Sequence, residues 1–491
     1  MATSSISSSA FSALSNTTGS ISSAGIGSGL DVNSIVTQLM AVEKRPLAQM
    51  QQQAGDINTK LSEVGKMQSY FSALRDKAQA VTNPSLWTAT TASSSDSAAV
   101  SVSTGGGTPA TAGSYAVSVS KLAQAQSVTS SALASGANLN SGRITIELGS
   151  YDSDSAPTSF TPKDGSSAVS IDIGSGDTSL SAIRDKINGS GAGVLASIIT
   201  DANGSRLSLR SRDTGAANAF RVSVTETQDD GDAASGLSML GYDATASSPG
   251  MTRSQTAGDA QLSINGVALS SASNTLANAV DGMSLTLSKV TTADVTVNVA
   301  ADTATAKKAI TDFVSAFNTL ASFIRTDTAY NADNKSGGPL QGDQATLSLQ
   351  HQLRNVLNQP STASGTWSAL SDIGISMAAD GTLSTNTGKL DNALGNLPAL
   401  KKLLAADGAD TASTGFIRRF QNLAKTALDS GGAFESRTSG LRSSLDRNTK
   451  QQDAMQTRLT ATEARLRAQY QALDTKMASL TTLSGYVAKI G

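Results

Sequence analysis

The stretch from Gly440 to Ile490 constrains this chain more than any other. Its apolar positions step by four and three at Leu441, Leu445, Met455, Leu459 and Leu466. After one extra four-residue step to Tyr470 they resume at Leu473, Met477, Leu480, Val487 and Ile490. This is the spacing of a coiled-coil seam, with Asn448, Gln452 and Thr462 where the seam expects carbon. Asp446 with Lys450, and Glu463 with Arg467, stand one helical turn apart on the outer face, where each pair adds a few tenths of a kcal/mol. At a rise of about 1.5 Å per residue the rod is roughly 75 Å long, too long for the inside of a compact domain. The step from Leu466 to Tyr470 is a stutter, which unwinds a supercoil toward a straight rod. A lone helix cannot bury such a stripe, so it requires a partner.

The other end of the chain supplies one. Leu47, Met50, Ala54, Ile57, Leu61 and Val64, then Phe71, Leu74, Ala78 and Val81, form a second seam that Asn83-Pro84 ends. Seam packing is therefore expected between Leu47, Met50, Ile57, Leu61 and Val64 and the residues Leu441, Leu445, Met455, Leu459 and Leu466. The alternative is two helices of an ordinary bundle. A shorter helix precedes the second seam, with Asp31 as its N-cap and Val32, Ile35, Val36, Leu39 and Met40 on one face. Pro46 interrupts it, because proline lacks the N–H and clashes with the preceding turn. Gly25, Gly27 and Gly29 resemble a phosphate loop at a glance, but no strand precedes them and the next glycine of that motif is missing. The Ser-, Thr-, Ala- and Gly-rich run from Met1 to Ala24 carries no charged side chain, no basic start and no apolar block of a secretory signal. It reads as a disordered tail, or as one that folds on assembly or is recognised by a dedicated exporter.

Composition narrows what the partners are. The 491 residues give length for roughly three domains. A net charge of -2 with 15% charged residues offers no basic footprint for nucleic acid. With aromatics at 4%, the cores must be built from Ala, Val, Leu and Ile. Zero cysteines exclude disulfides, thiol nucleophiles and cysteine-held zinc. The single histidine, His351, excludes a His–His metal pair and sits beside Gln350 and Gln352 as a surface or packing residue. No catalytic residue, cofactor site or metal site is expected, and no apolar run is long enough to span a bilayer.

The middle of the chain changes period. Ala99 to Ser103, Tyr115 to Ser120, Ile144 to Leu148, Val169 to Ile173, Leu207 to Arg210 and Val222 to Thr225 alternate as half-buried strands do. One helix interrupts them, with Leu180, Ile183 and Ile187 on its apolar face and Asn188-Gly189 expected to close it. Asn265-Gly266 suits a type I′ hairpin turn. The segment from Gln228 through Thr256 reads as a loop or domain seam. Helical period returns with Ile310, Phe313, Phe317, Leu320 and Ile324, then Leu349, Leu353, Val356 and Leu357. Asp380-Gly381 reads as a two-stranded turn without the rest of a calcium loop. The expected fold class is α+β multidomain: terminal helices forming a coiled-coil stalk and leg, a mixed helical domain, and two β-rich head domains nested in mid-chain. The expected boundaries are 1–45 with 465–491 for the leg, 46–85 with 303–464 for the stalk, 86–130 with 255–302 for the inner head, and 131–254 for the outer head.

Several runs together resemble one family. Gly27-Ser-Gly-Leu-Asp-Val-Asn-Ser-Ile-Val-Thr-Gln-Leu-Met-Ala-Val-Glu-Lys-Arg-Pro-Leu47 is similar to the N-terminal signature of the bacterial flagellar filament cap family, hook-associated protein 2. The run from Gly113 to Gln126 resembles that family's first head strand. Leu180 to Asn188, with Gly204 to Leu209, resembles a repeat inserted in flagellins and caps. Leu370 to Ser384, followed by Lys389 to Leu394, is similar to the family's C-terminal half.

The resemblance implies a secreted, non-enzymatic assembly factor at the distal filament tip, exported by the flagellar type III system. It implies a ring of copies of the chain, pentamer or hexamer, beneath which exported flagellin folds and inserts. Its implied partners are flagellin, the hook–filament junction protein and an export chaperone that binds the C-terminal helix; a host glycan or mucin would be a further partner of the heads. The implied leg residues, contacting filament and chaperone, are Val32, Ile35, Leu39, Tyr470, Leu473, Met477, Leu480 and Val487. Asn448 and Gln452 are expected to weaken the stalk pairing, which suits a leg that must let go and re-form. Two other readings are a filament or junction subunit, which would polymerise into filaments, and a stalked surface adhesin.

Overall fold

The computed structural model describes residues 31–487 apart from 106–107, 135, 248–249 and 334. The N-terminal tail, the glycines at 25, 27 and 29, and Ile490 lie outside the described residues. The chain divides into two compact units, Met1–Asn83 with Lys307–Gly491, and Pro84–Ala306. The parts expected separately as leg and stalk fall in the first unit, apart from 84–85 and 303–306.

Helix α1 (Val32–Glu43) begins where expected, with the Asp31 carboxylate accepting from the Ser34 amide at 3.0 Å. The break lies at Lys44, and α2 (Arg45–Thr82) carries Pro46 in its first turn, where a missing N–H costs nothing.

The second unit follows. Strands β1 (Thr90–Ser94), β2 (Val100–Thr104) and β3 (Gly113–Lys121) lead into β4 (Ser127–Thr129), β5 (Gly142–Tyr151), β6 (Phe160–Pro162) and β7 (Val169–Ile173). Helix α3 (Leu180–Gly189) precedes β8 (Val194–Asp201), β9 (Gly204–Ser211), β10 (Ala219–Glu226) and β11 (Thr252–Gln255). The unit ends with β12 (Ala260–Ile264), β13 (Val267–Ser271), β14 (Thr275–Val280), β15 (Met283–Leu287) and β16 (Val295–Ala301). One sheet has the order β1-β16-β3-β12-β13 and another β14-β15-β2. Their inward residues, among them Val117, Val119, Leu262, Leu285 and Val297, form one hydrophobic cluster. The sheets β10-β5-β6, with β7 also on β5, and β11-β4-β9-β8 enclose a second cluster with Ile183 and Ile187 of α3. The Asn265-Gly266 turn has φ of 50° and 80°, the double left-handed geometry of a type I′ hairpin.

One expectation in this unit is corrected and another refined. Gln228 through Thr256 is not a loose loop: Leu237, Met239, Leu240, Tyr242 and Met251 enter the second core, and β11 pairs with β4. The apolar content of Leu237 to Tyr242 outweighs the Asp and Gly turn signals before it. Helix α3 ends at Gly189, as Asn188-Gly189 suggests, but without a left-handed conformation at that residue. That conformation falls on Gly191 at φ 73°, while the Asn188 side chain turns aside to hold both polar groups of Ala196.

The first unit resumes with α4 (Thr303–Thr328), α5 (Gln344–Asn358), a hairpin of Ile375–Met377 with Leu383–Thr385, α6 (Thr387–Leu394), α7 (Leu397–Ala405) and α8 (Phe416–Leu428). The hairpin turns through Gly381 at φ 84°, as Asp380-Gly381 suggests. Helix α9 (Ala433–Val487) spans 55 residues and begins earlier than its seam, just past Gly431 at φ 77°. His351 is exposed on α5.

Candidate assembly interface

The helical pair is built from both ends of the described chain. Helices α2 and α9 run antiparallel: the Phe71 and Phe434 rings meet edge to face at 5.1 Å, Asn448 Nδ2 donates to Gln53 Oε1 at 3.5 Å, and Gln452 Nε2 reaches the Met50 carbonyl at 3.4 Å. On α9, Leu441 and Leu459 are buried, and Leu445, Met455 and Leu466 half-buried. On α2, Val64 is buried and Leu47, Met50, Ile57 and Leu61 are half-buried. A solvated pair of helices leaves its seam at this intermediate exposure.

Farther along, α2 meets more neighbours. Lys77 pairs with Asp312 of α4 at 3.0 Å, Tyr70 packs on Phe323 at 5.1 Å, and Thr82 Oγ1 donates to Gln421 of α8 at 3.0 Å. Phe71, Leu74, Ala78 and Val81 are accordingly completely buried. Met67 and Phe434 belong to this packing but escaped the seam pattern. Met67 stands three residues after Val64, off the strict alternation, and Phe434 lies upstream of Gly440, before the repeat becomes visible.

Two of the polar seam residues, Asn448 and Gln452, have partners. Asn448 is buried, and Gln452 Nε2 donates to its Oδ1 at 2.5 Å as well as toward Met50. They form one polar layer across the pair.

Helix α1 extends the line of α2 along α9. Val32, Val36 and Met40, one turn apart, are buried against Leu459, with Leu47, Met455, Leu466 and Tyr470 packed around them. Arg467 Nη1 donates to Asn33 Oδ1 at 2.9 Å and closes an ion pair with Glu463 at 2.8 Å. Of the residues grouped as a leg, Val32 and Tyr470 therefore sit inside the closed pair, Ile35 is half-buried, and Leu39 is exposed. The face of α1 turned to α9 follows the four-residue line through Val36, which carries Leu39 away from it.

Beyond Tyr470 the picture changes. Leu473, Met477, Leu480 and Val487 are 45%, 41%, 60% and 67% exposed, and Leu483 and Tyr486 join them. The seam loses its partner just past the stutter, between Tyr470 and Leu473.

Elsewhere in the unit, Arg419 is buried and donates to the carbonyls of Thr414, Gln359 and Pro360 at 2.9, 2.7 and 3.1 Å. It closes the floor of an open cleft of about 520 Å³ between α5 and α8, and burial lowers its pKa. Asp327, in the last turn of α4, is buried opposite Glu63 of α2; burial and then the Glu63 charge raise its pKa. Glu63 in turn holds Lys66 at 2.9 Å. Among the described residues no group of three or more His, Cys, Asp or Glu is placed to hold a metal ion, and no helix is long and apolar enough to cross a membrane.

Terminal helices paired along a polar-interrupted seam, with two β cores inserted between them, define a multidomain α+β protein whose longest described helix ends in an exposed apolar face. Two family models, the N-terminus and the C-terminus of flagellar hook-associated protein 2, match residues 28–126 and 257–482. A third, the flagellin hook IN motif, matches 159–213, from β6 to β9. The chain is 36% identical over 488 residues to flagellar hook-associated protein 2 of Escherichia coli K12, covering 96% of this chain and 98% of that one. It is 29% identical over 471 residues to the B-type flagellar hook-associated protein 2 of Pseudomonas aeruginosa, covering 92% of each. The crystal structure of the flagellar cap protein D1-D2-D3 domains from Escherichia coli superposes with a TM-score of 0.59 at 34% identity, over 77% of this chain and 99% of that one. The chain belongs to the flagellar hook-associated protein 2 family.

Proposed function

We propose that this chain caps the distal end of a flagellar filament, where it promotes folding and insertion of exported flagellin and prevents its loss, so that the filament elongates and the cell swims. The observation that carries the reading is the change along α9. As far as Tyr470 the helix is held by α1 and α2, and past it Leu473 to Val487 present an apolar face. A face of that kind suits a partner helix in the filament end, and before export it suits a chaperone. In this reading Leu473, Met477, Leu480 and Val487 contact the filament, with Val32, Ile35, Leu39 and Tyr470 as the packed root of the same leg. Leu47, Met50, Ile57, Leu61 and Val64 with Leu441, Leu445, Met455, Leu459 and Leu466 form the stalk that carries it. We assign 1–45 with 465–491 to the leg, 46–85 with 303–464 to the stalk, 86–130 with 255–302 to the inner head and 131–254 to the outer head.

The chain is exported through the flagellar type III system and closes into a ring of copies, pentamer or hexamer, seated by way of the hook–filament junction protein when growth begins. A host glycan or mucin is a further ligand for the heads. Expression of this chain in a flagellated strain lacking its own cap tests the reading. Restored filaments with little flagellin in the medium are expected. Bald cells that continue to shed flagellin would contradict it.

A further inference from the structure

Asparagine precedes glycine at Asn188-Gly189, Asn203-Gly204 and Asn265-Gly266. Glycine leaves its own backbone nitrogen unhindered, so that nitrogen can attack the preceding side-chain amide. We infer that Asn203 is a site of spontaneous deamidation in the folded protein, and that hydrogen bonds protect the other two.

The three sites differ in what holds the amide. Asn188 is held at both ends, its Nδ2 donating to the Ala196 carbonyl at 2.9 Å and its Oδ1 accepting from the Ala196 amide at 2.7 Å. Asn265 Oδ1 accepts from the Ala116 amide at 2.8 Å, and its own amide donates to the Ala116 carbonyl at 2.8 Å. Asn203 is exposed at the tip of the β8–β9 hairpin. Its backbone amide is tied to Asp201 Oδ1 at 2.7 Å, while its side chain makes no hydrogen bond among the described residues. Glycine is required next to it. Gly204 has φ 130°, and a Cβ there would strike the Leu133 carbonyl, so the fold keeps the reactive pair in place.

The reaction needs only water. The Gly204 nitrogen bonds to Cγ of Asn203, the Cγ–Nδ2 bond breaks, and ammonia leaves carrying the proton that the nitrogen gives up. The resulting succinimide opens when water adds to either imide carbonyl. One opening yields aspartate and the other an isoaspartyl linkage, whose extra backbone methylene cannot keep the hairpin's register. Either product sets a new carboxylate beside Asp201, which already stands 3.7 Å from Arg206.

Peptide mapping of the full chain, kept folded at mildly alkaline pH and in parallel in guanidinium chloride, tests the inference. Because each protecting hydrogen bond must break before attack, the folded protein is expected to deamidate at Asn203 about tenfold faster than at Asn188 or Asn265. In denaturant the three rates should converge. Asn203→Ala should abolish the mass gain of the folded protein on the same timescale. Equal rates at the three sites in the folded protein, or an unmodified Asn203 there, would overturn it.

Discussion

Asp327 couples packing to proton binding. It lies in the last turn of α4, where the helix's free carbonyl end disfavours a negative charge, and its Oδ2 is buried with no hydrogen-bond partner. Burial first, and the Glu63 carboxylate second, raise its pKa above the ordinary carboxylate value. In the unfolded chain it ionises at the ordinary value, so below that pH both states bind the proton and the site costs nothing. As pH rises from there to the raised folded value, the unfolded chain gives up its proton more readily and stability falls. Asp327→Asn, which keeps the shape but cannot ionise, should therefore stabilise the first unit at neutral pH. The gain should vanish near pH 4, at the foot of the ordinary carboxylate range. Urea titrations across that range would show it, and a stability gain independent of pH would contradict this account. Asn448 and Gln452 make a second residue-scale case. They looked like weak points in a seam, yet they bond to each other and across to α2. Such a layer fixes register while contributing less than carbon would. The double substitution Asn448→Leu with Gln452→Leu should raise the unfolding free energy read from urea titration by about 1 kcal/mol, and slow filament growth by stiffening the pair. Normal growth with the stiffer protein would separate the polar layer from function.

At the scale of elements, the seams were legible because apolar residues repeat at a helix's own period. What the repeat could not say was how many partners each seam has. From Val64 onward α2 is enclosed by α4, α8 and α9, so Phe71 and Leu74 are completely buried, while Leu47 to Leu61 of the same seam stay half-wet. Helix α1 showed the same limit. Five apolar residues shared a broad face in the sequence, and only the contact with α9 separated Val32, Val36 and Met40 from the exposed Leu39. Strand β8 lacks clean alternation, because Leu195 and Ile199 are apolar on the outer face as well. Gln228 through Thr256 carried turn residues and core residues side by side, and local signals do not rank the two. The leg contacts remain beyond one sequence for a physical reason: a face covered only in an assembly leaves the same apolar pattern as a core. A chain ended after Tyr470 loses only exposed seam residues, so its thermal unfolding should match the full chain to within about 0.5 kcal/mol. The same truncation should abolish capping. A large loss of stability would mean that the distal helix is packed in the free protein.

For the whole molecule, chain order explains the architecture. Helices that pair come from both ends, so everything between them is inserted: two separate β cores, then α4 to α8, which belong to the same unit as the pair. Membership of the flagellar hook-associated protein 2 family fits this order, with its N- and C-terminal regions matched on either side of the flagellin-type motif. The proposed capping role turns on self-association. An interface between unlike surfaces closes into a ring if its rotation closes and makes an open fibre if it does not. Electron microscopy of the purified full chain, alone and added to sheared flagellar filaments, measures that directly. A capping function predicts closed pentameric or hexameric rings, each seated on one end of a filament. Open fibres of the chain itself, or rings that never occupy filament ends, would contradict it.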